Sequence, residues 1–209
     1  MKELLKDYKK RRKEIKRRLG DFRRVYKRRD KDIFAELCFC ILTPQAKAVV
    51  CDKAIKRLEE KGALLKGSRR EVISCLKGVR FPNNKARYVI LARNFFKKRE
   101  ALDIKARLKF TDLFKTRDWL VRNVKGLGYK EASHFLRNIG LGRNLAILDR
   151  HILKNLKEYR IIKKIPTSLN RESYINIENR MRKFFKRLDI PMEEIDLLFW
   201  SKETGMVFK

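Results

Sequence analysis

The sequence predicts an all-α protein of two helical lobes, and three observations carry that prediction. Apolar residues recur at spacings of three and four through most of the chain, the signature of amphipathic helices. No stretch alternates apolar and polar residues with period two over a useful length, and no internal repeat appears. At 209 residues and 44% hydrophobic, the chain can bury one core of ordinary size or two small ones. Residues 31–139 are expected to form the central lobe, and residues 1–30 with 140–209 the second.

Met1 to Arg29 reads as one basic helix. Leu4, Leu5, Tyr8, Ile15, Leu19, Phe22 and Val25 supply an intermittent apolar stripe that packs on the body with the basic side out. The run Lys9 to Lys13 is a solvated face first and a phosphate contact second. Asp32 to Leu42 is a strongly apolar helix with Ile33, Phe34, Leu37, Cys38 and Ile41 in its stripe, and Thr43-Pro44 ends it. Gln45 follows at the turn, and Ala46, Val50, Ala54 and Leu58 carry the next helix. Ser68-Arg69-Arg70-Glu71 is a capping box that opens a helix through Leu76. Arg80-Phe81-Pro82-Asn83 is a loop, after which Asn83 is expected to cap a helix carrying Ala86, Val89 and Ile90. Thr111 or Asp112 starts a short helix leading into Trp119. Beyond Asp149 a helix runs to about Tyr159 and another from Arg171 to Leu188. Ile190-Pro191 breaks the chain before a last helix from Met192 to about Lys202. The tail, Thr204 to Lys209, is aromatic and weakly polar, so it is expected to pack.

The stretch from Trp119 to Ile152 carries the chemistry. Trp119, Leu120 and Val124 stripe a helix that Lys125-Gly126-Leu127-Gly128 breaks; two glycines two apart allow positive φ and a close backbone approach to something outside. A second helix starts near Tyr129, with Ala132, Phe135, Leu136 and Ile139 on its buried face and Gly140 as its stop. Lys130 and His134, four apart, share the other face. A hairpin of this kind aims backbone N–H groups outward at a helix N-terminus, an arrangement that suits a phosphate. Lys130 sits in the first turn, where the helix dipole and nearby cations disfavour an ammonium, and a neutral amine is a nucleophile. Asp149 closes the apolar run Ala146-Ile147-Leu148 and opens a new helix, and is expected to face back across a cleft to the lysine. Both residues also have plainer readings, a solvated cation beside a turn and a helix N-cap.

Charge narrows the partner. The chain holds 56 Lys and Arg against 25 Asp and Glu, a net charge of +31. A thermophile's charged surface raises both signs. A one-signed excess of this size points to a polyanion, nucleic acid being the simplest, bound with steep salt dependence. No apolar run is long enough to span a membrane and no signal peptide is evident, so no membrane role and a cytoplasmic location with the chromosome are expected. Cys38, Cys40, Cys51 and Cys75 lie in apolar helical contexts whose spacing suits neither zinc nor an iron–sulfur cluster; they read as reduced core thiols.

KGLGYKEASHFLRNIG and LAILDRHIL resemble the helix-hairpin-helix DNA glycosylase superfamily, and within it the archaeal-type (type 2) 8-oxoguanine DNA glycosylase/AP lyases. The resemblance extends from Phe34 to Lys209 and is most specific at its centre. It implies a helix-hairpin-helix motif at the cleft between the lobes, and double-stranded DNA containing an oxidised base or an abasic site as the partner. It also implies that Lys130 forms a Schiff base with the sugar and that Asp149 assists. Phe81 and Trp200 would stack on the extruded base, and Lys209 would help to tell 8-oxoguanine from guanine. Gln45 would fill the gap the base leaves, unless it simply caps a helix. Lys125, Gly126, Gly128, Lys85 and Arg87 would contact DNA, and His134 would either line the site or satisfy a local hydrogen bond. No metal or cofactor is implied: some relatives carry a four-cysteine cluster near the C-terminus, and this chain has no cysteine after Cys75. Nothing demands more than a monomer. Two alternatives stay open: the same chemistry on another oxidised base, as in endonuclease III-like enzymes, and a non-enzymatic helix-hairpin-helix module that only binds DNA.

Overall fold

The computed structural model describes residues 2–108 and 111–209. Met1, the first residue of the expected N-terminal helix, lies outside them. The helices are α1 (Lys2–Tyr26), α2 (Asp30–Leu42), α3 (Ala48–Glu60), α4 (Ala63–Lys66), α5 (Arg69–Cys75), α6 (Pro82–Phe96), α7 (Ile104–Arg107), α8 (Leu113–Asn123), α9 (Tyr129–Asn138), α10 (Arg150–Glu158), α11 (Arg171–Lys186) and α12 (Met192–Thr204). Two short strands, β1 (Lys97–Lys98) and β2 (Ala101–Leu102), pair antiparallel as a hairpin after α6. Two residues per strand is too short for any alternation to register in the sequence. Among the described residues, no helix is long and apolar enough to cross a membrane.

The chain divides into two compact units, Tyr26–Phe135 and Met1–Val25 with Leu136–Lys209; the division falls inside α9. In the first unit α2 is the core helix, with every residue from Leu37 to Leu42 buried, and α3, α6 and α7 pack on it. Arginines close helix ends here: Arg57 donates from Nε to the carbonyl of Cys75 (2.9 Å) and from Nη2 to that of Lys77 (3.0 Å). The capping box at Ser68 forms as the sequence predicts, with the Ser68 N–H donating to Glu71 Oε2 at 2.7 Å and the Glu71 N–H to Ser68 Oγ. Asn83 does not cap α6. That helix begins at Pro82 with Phe81 as its N-cap, because proline's missing N–H costs nothing in a first turn. Among the described residues no disulfide joins the four cysteines, and all four are buried.

In the second unit, α1 buries Leu4, Tyr8, Ile15, Leu19, Phe22 and Val25 on one stripe. Tyr8 donates its hydroxyl to the buried Glu194 of α12 (2.8 Å), and Arg23 pairs with Glu193 (2.6 Å). α10 and α11 both pack on α12, and the rings of Tyr159 and Phe199 stack at 5.8 Å. α9 ends in a Schellman motif at Gly140, whose φ is +79°: the Leu141 N–H reaches the Leu136 carbonyl (2.8 Å) and the Gly140 N–H that of Arg137 (2.9 Å). A Cβ at Gly140 would lie 2.5 Å from the Arg23 Cα, so α1 crosses there against bare backbone.

Gly140→Ala is therefore expected to lose at least about 2 kcal/mol in urea unfolding, from the left-handed penalty plus a clash that no rotamer relieves. Tyr8 gives a pH test. Burial first, then the Glu194 hydrogen bond, pushes its hydroxyl up to about 12 from 10.0. The folded chain keeps a proton that the unfolded chain releases near pH 10, so this stabilisation is complete below pH 10 and is lost as pH rises through 12. Tyr8→Phe should be less stable at neutral pH, with a shallower fall between pH 10 and 12.

Candidate active site

The hairpin between α8 and α9 is built by a clip of buried polar groups. Arg117 of α8 is buried; it donates to Ser133 Oγ of α9 (3.2 Å) and lies over the rings of Phe114 (5.6 Å) and Tyr129 (5.4 Å). Tyr129 donates its hydroxyl to Asp118 Oδ1 at 2.8 Å. The two glycines do different work from the paired role expected of them. Gly126 alone has positive φ, +93°, and its close approach is to the chain itself: a Cβ there would meet the Tyr88 ring of α6 at 2.7 Å. Gly128 is followed three residues later by Glu131, whose Oε2 accepts the Gly128 N–H at 3.1 Å. That is the reciprocal half of a capping box, with a carboxylate already at the outward N–H.

The same carboxylate meets the nucleophile candidate. Lys130 Nζ lies 3.3 Å from Glu131 Oε1, with the lysine side chain 22% exposed. The helix dipole that the sequence places at Lys130 is thus opposed by a counter-ion on the adjacent residue. His134, expected on an open face with Lys130, is buried and meets the ring of Phe39 edge-on at 5.6 Å. From Ala132 to the end of α9 at Asn138, and on to Ile139, every residue is buried.

Lys85 is a correction. It is only 4% exposed, and its ammonium donates to the carbonyls of Leu42 (2.6 Å) and Pro44 (2.7 Å). Both bonds hold the turn after α2 and leave the charge below the surface, where it does not reach a phosphate. Burial is the chief cause that lowers its ammonium from the usual lysine range, with Lys130 and Arg80 adding to it and Cys51 and Glu131 opposing. Burial also pushes the neighbouring Cys51 thiol up to about 11, which leaves it a poor nucleophile. The turn that Lys85 braces presents Gln45, exposed and at φ +54°. Gln45 caps nothing: the N-cap of α3 is Lys47, and the Gln45 side chain makes no hydrogen bond among the described residues. Phe81 is a second non-glycine residue in the left-handed region, at φ +56° with half its surface exposed and Arg80 over its ring at 5.2 Å. A bulky aromatic held there costs about 1–3 kcal/mol, and such strain gathers at functional positions. Lys125 and Arg87 are exposed.

Asp149 belongs to the other unit. It is the N-cap of α10, its Oδ1 accepting the Ile152 N–H at 2.8 Å, so the plainer reading holds and one carboxylate oxygen remains for other work. The segment before it, Leu145–Leu148, lies outside any helix or strand and is held by side chains of α11. Glu178 accepts the Ala146 N–H (2.6 Å), and Tyr174 donates to the Ala146 carbonyl (2.7 Å) while accepting the Leu148 N–H (3.2 Å). Buried Arg137 of α9 pairs with Asp196 of α12 at 2.7 Å. Burial raises the Asp196 carboxyl, Arg137 opposes, and the charge of Asp149 adds to the rise. Trp200 on α12 and Lys209 at the chain end are both half-buried.

The sequence profile of the 8-oxoguanine DNA glycosylase family matches residues 15–190, a span that includes the hairpin, Lys130 and Asp149. The chain belongs to this family. It is 42% identical to the 8-oxoguanine DNA glycosylase/AP lyase of Fusobacterium nucleatum, over 99% of this chain and 96% of that protein. Its fold matches the crystal structure of the Thermotoga maritima 8-oxoguanine DNA glycosylase with a TM-score of 0.89 at 32% identity, covering 100% of this chain and 97% of that one. It matches the Methanocaldococcus jannaschii 8-oxoguanine glycosylase/lyase, solved in complex with a 15mer DNA containing 8-oxoguanine, with a TM-score of 0.87 at 37% identity and 99% coverage of each.

Family membership accounts for the hairpin but not for what braces it. Glu131, Arg117 and the Tyr174–Glu178 pair were absent from the sequence-based expectations, and Lys85 entered them only as a DNA contact. Only Glu131 carried a local signal, a carboxylate three residues after a helix-opening glycine. Lys85→Met should lose about 2–4 kcal/mol in urea unfolding, since two carbonyls lose a charged donor, and the turn bearing Gln45 should exchange its amides faster than in the parent.

Proposed function

We propose that this protein excises 8-oxoguanine from double-stranded DNA and then cleaves the strand at the abasic site, with Lys130 as nucleophile and Asp149 as its carboxylate partner. The observation that carries the reading is a family match that spans both residues, in a chain whose Lys130 follows a glycine hairpin. A net charge of +31 supplies the attraction to phosphates, with Lys125, Arg87 and the hairpin around Gly126 and Gly128 as contacts. The glycosidic carbon is out of reach in a stacked duplex, so the nucleotide is extruded. Phe81 and Trp200 then stack on the base, Lys209 reads it, and Gln45 fills the vacated space.

The Lys130 ammonium first gives up a proton to solvent and leaves Glu131. Its lone pair forms a bond to C1′ as the bond from C1′ to the base breaks; the base departs with the electron pair and takes up a proton. Asp149 stabilises the positive charge that grows on the sugar. Ring opening yields the Schiff base, which withdraws electrons so that C2′ loses a proton and the C3′–O bond breaks, releasing the 3′ phosphate. Water then frees the lysine. A reaction of this kind belongs inside the cell with the chromosome.

Borohydride trapping on an 8-oxoguanine duplex tests the nucleophile: the parent should crosslink and Lys130→Gln should not, and a persistent crosslink removes Lys130 from this role. Asp149→Asn should bind the same duplex within about threefold and turn over about 10²–10³ times more slowly; parental turnover would exclude the carboxylate. A duplex panel with oxidised pyrimidines separates this reading from an endonuclease III-like specificity.

A further inference from the structure

The tail that carries Lys209 is held by α1. Arg11 donates from Nη1 to the Gly205 carbonyl at 3.1 Å, where Gly205 ends α12 at φ +79°. Two turns on, Arg18 lies over two rings at once, Phe208 at 6.0 Å and Phe22 at 4.7 Å. The column continues: Arg137 of α9 lies over Phe22 at 4.7 Å and ends on Asp196 of α12 at 2.7 Å. Cations and rings thus alternate from the penultimate residue of the chain to a helix that supplies Trp200. Arg18 is an expensive choice for simple packing. Its Nε is buried with no hydrogen-bond partner among the described residues, although Nη1 reaches Asp21 at 3.5 Å. A buried unmatched donor destabilises, so an aliphatic side chain would suit a purely structural contact better.

We propose that Arg18 is a positioning residue for base recognition: by stacking on Phe208 it fixes the tail so that Lys209 meets the extruded base. The assignment rests on the reading of Lys209 as a base reader. It makes Arg18 matter for removal of the base and not for cleavage at a site that has already lost it.

The test is single-turnover excision of 8-oxoguanine beside strand cleavage at a preformed abasic site, with the parent, Arg18→Met, Lys209→Ala and the double variant, each checked by thermal unfolding. Arg18→Met should slow excision on the order of tenfold and leave abasic-site cleavage within about twofold of the parent, and it should add nothing in the Lys209→Ala background. Equal losses in both activities show that Arg18 only supports the fold, and additive losses show that it acts apart from the tail; either overturns the proposal. Slow excision by Lys209→Ala beside parental excision by Arg18→Met overturns the Arg18 assignment alone. Parental excision by Lys209→Ala removes the base-reading role of the tail, and the Arg18 assignment falls with it.

Discussion

One carboxylate governs the reactive end of α9. Glu131 closes the hairpin through the Gly128 N–H and holds the Lys130 ammonium with its other oxygen. A helix N-terminus attracts negative charge, and the chain supplies its own there. A phosphate that approaches the hairpin competes with Glu131 for the same N–H. A lysine that acts as a nucleophile must part from the same group. The hairpin N–H and the Lys130 amine therefore share one side chain.

Elements of the fold are joined by cations turned inward. The charge of +31 invites the picture of a basic coat, yet several of the positive side chains that matter most are buried. Lys85 ties the turn after α2 through two carbonyls, Arg117 clips α8 to α9, and Arg137 joins α9 to α12 through Asp196. An ammonium or guanidinium out of water needs acceptors in fixed places. Each of these finds carbonyls, a hydroxyl, a carboxylate or ring faces. Directional polar contacts of this kind specify one arrangement where apolar packing alone would tolerate several.

The approach to Asp149 shows the same economy in neutral and acidic groups. Four residues of backbone between two helices have no ladder to join, and buried N–H and C=O groups must be satisfied. Tyr174 and Glu178, on α11, satisfy three of them. Asp149 then starts α10 from a point fixed by a helix more than twenty residues later in the chain.

The apolar stripes of α1, α2 and α9, the Ser68 capping box and the glycine stop at residue 140 were legible in the sequence because each depends on neighbours within about one or two helical turns. So were the hairpin from Lys125 to Gly128 and the N-cap at Asp149, whose residue types are demanded locally. Lys85 was misread because a lysine on a helix looks the same whether its ammonium ends in water or on a carbonyl forty residues earlier. The packing demand at Gly126 was not legible because the ring it must avoid, Tyr88, lies on another helix. The stacking of Phe208, Arg18, Phe22 and Arg137 joins three distant parts of the chain. Short-range pattern thus settled which helices form and where the hairpin and the Asp149 cap fall. Where each buried charge ends, and so how the reactive groups are held, was decided only by tertiary structure, since the acceptors that satisfy a buried cation come from segments with no fixed separation in sequence.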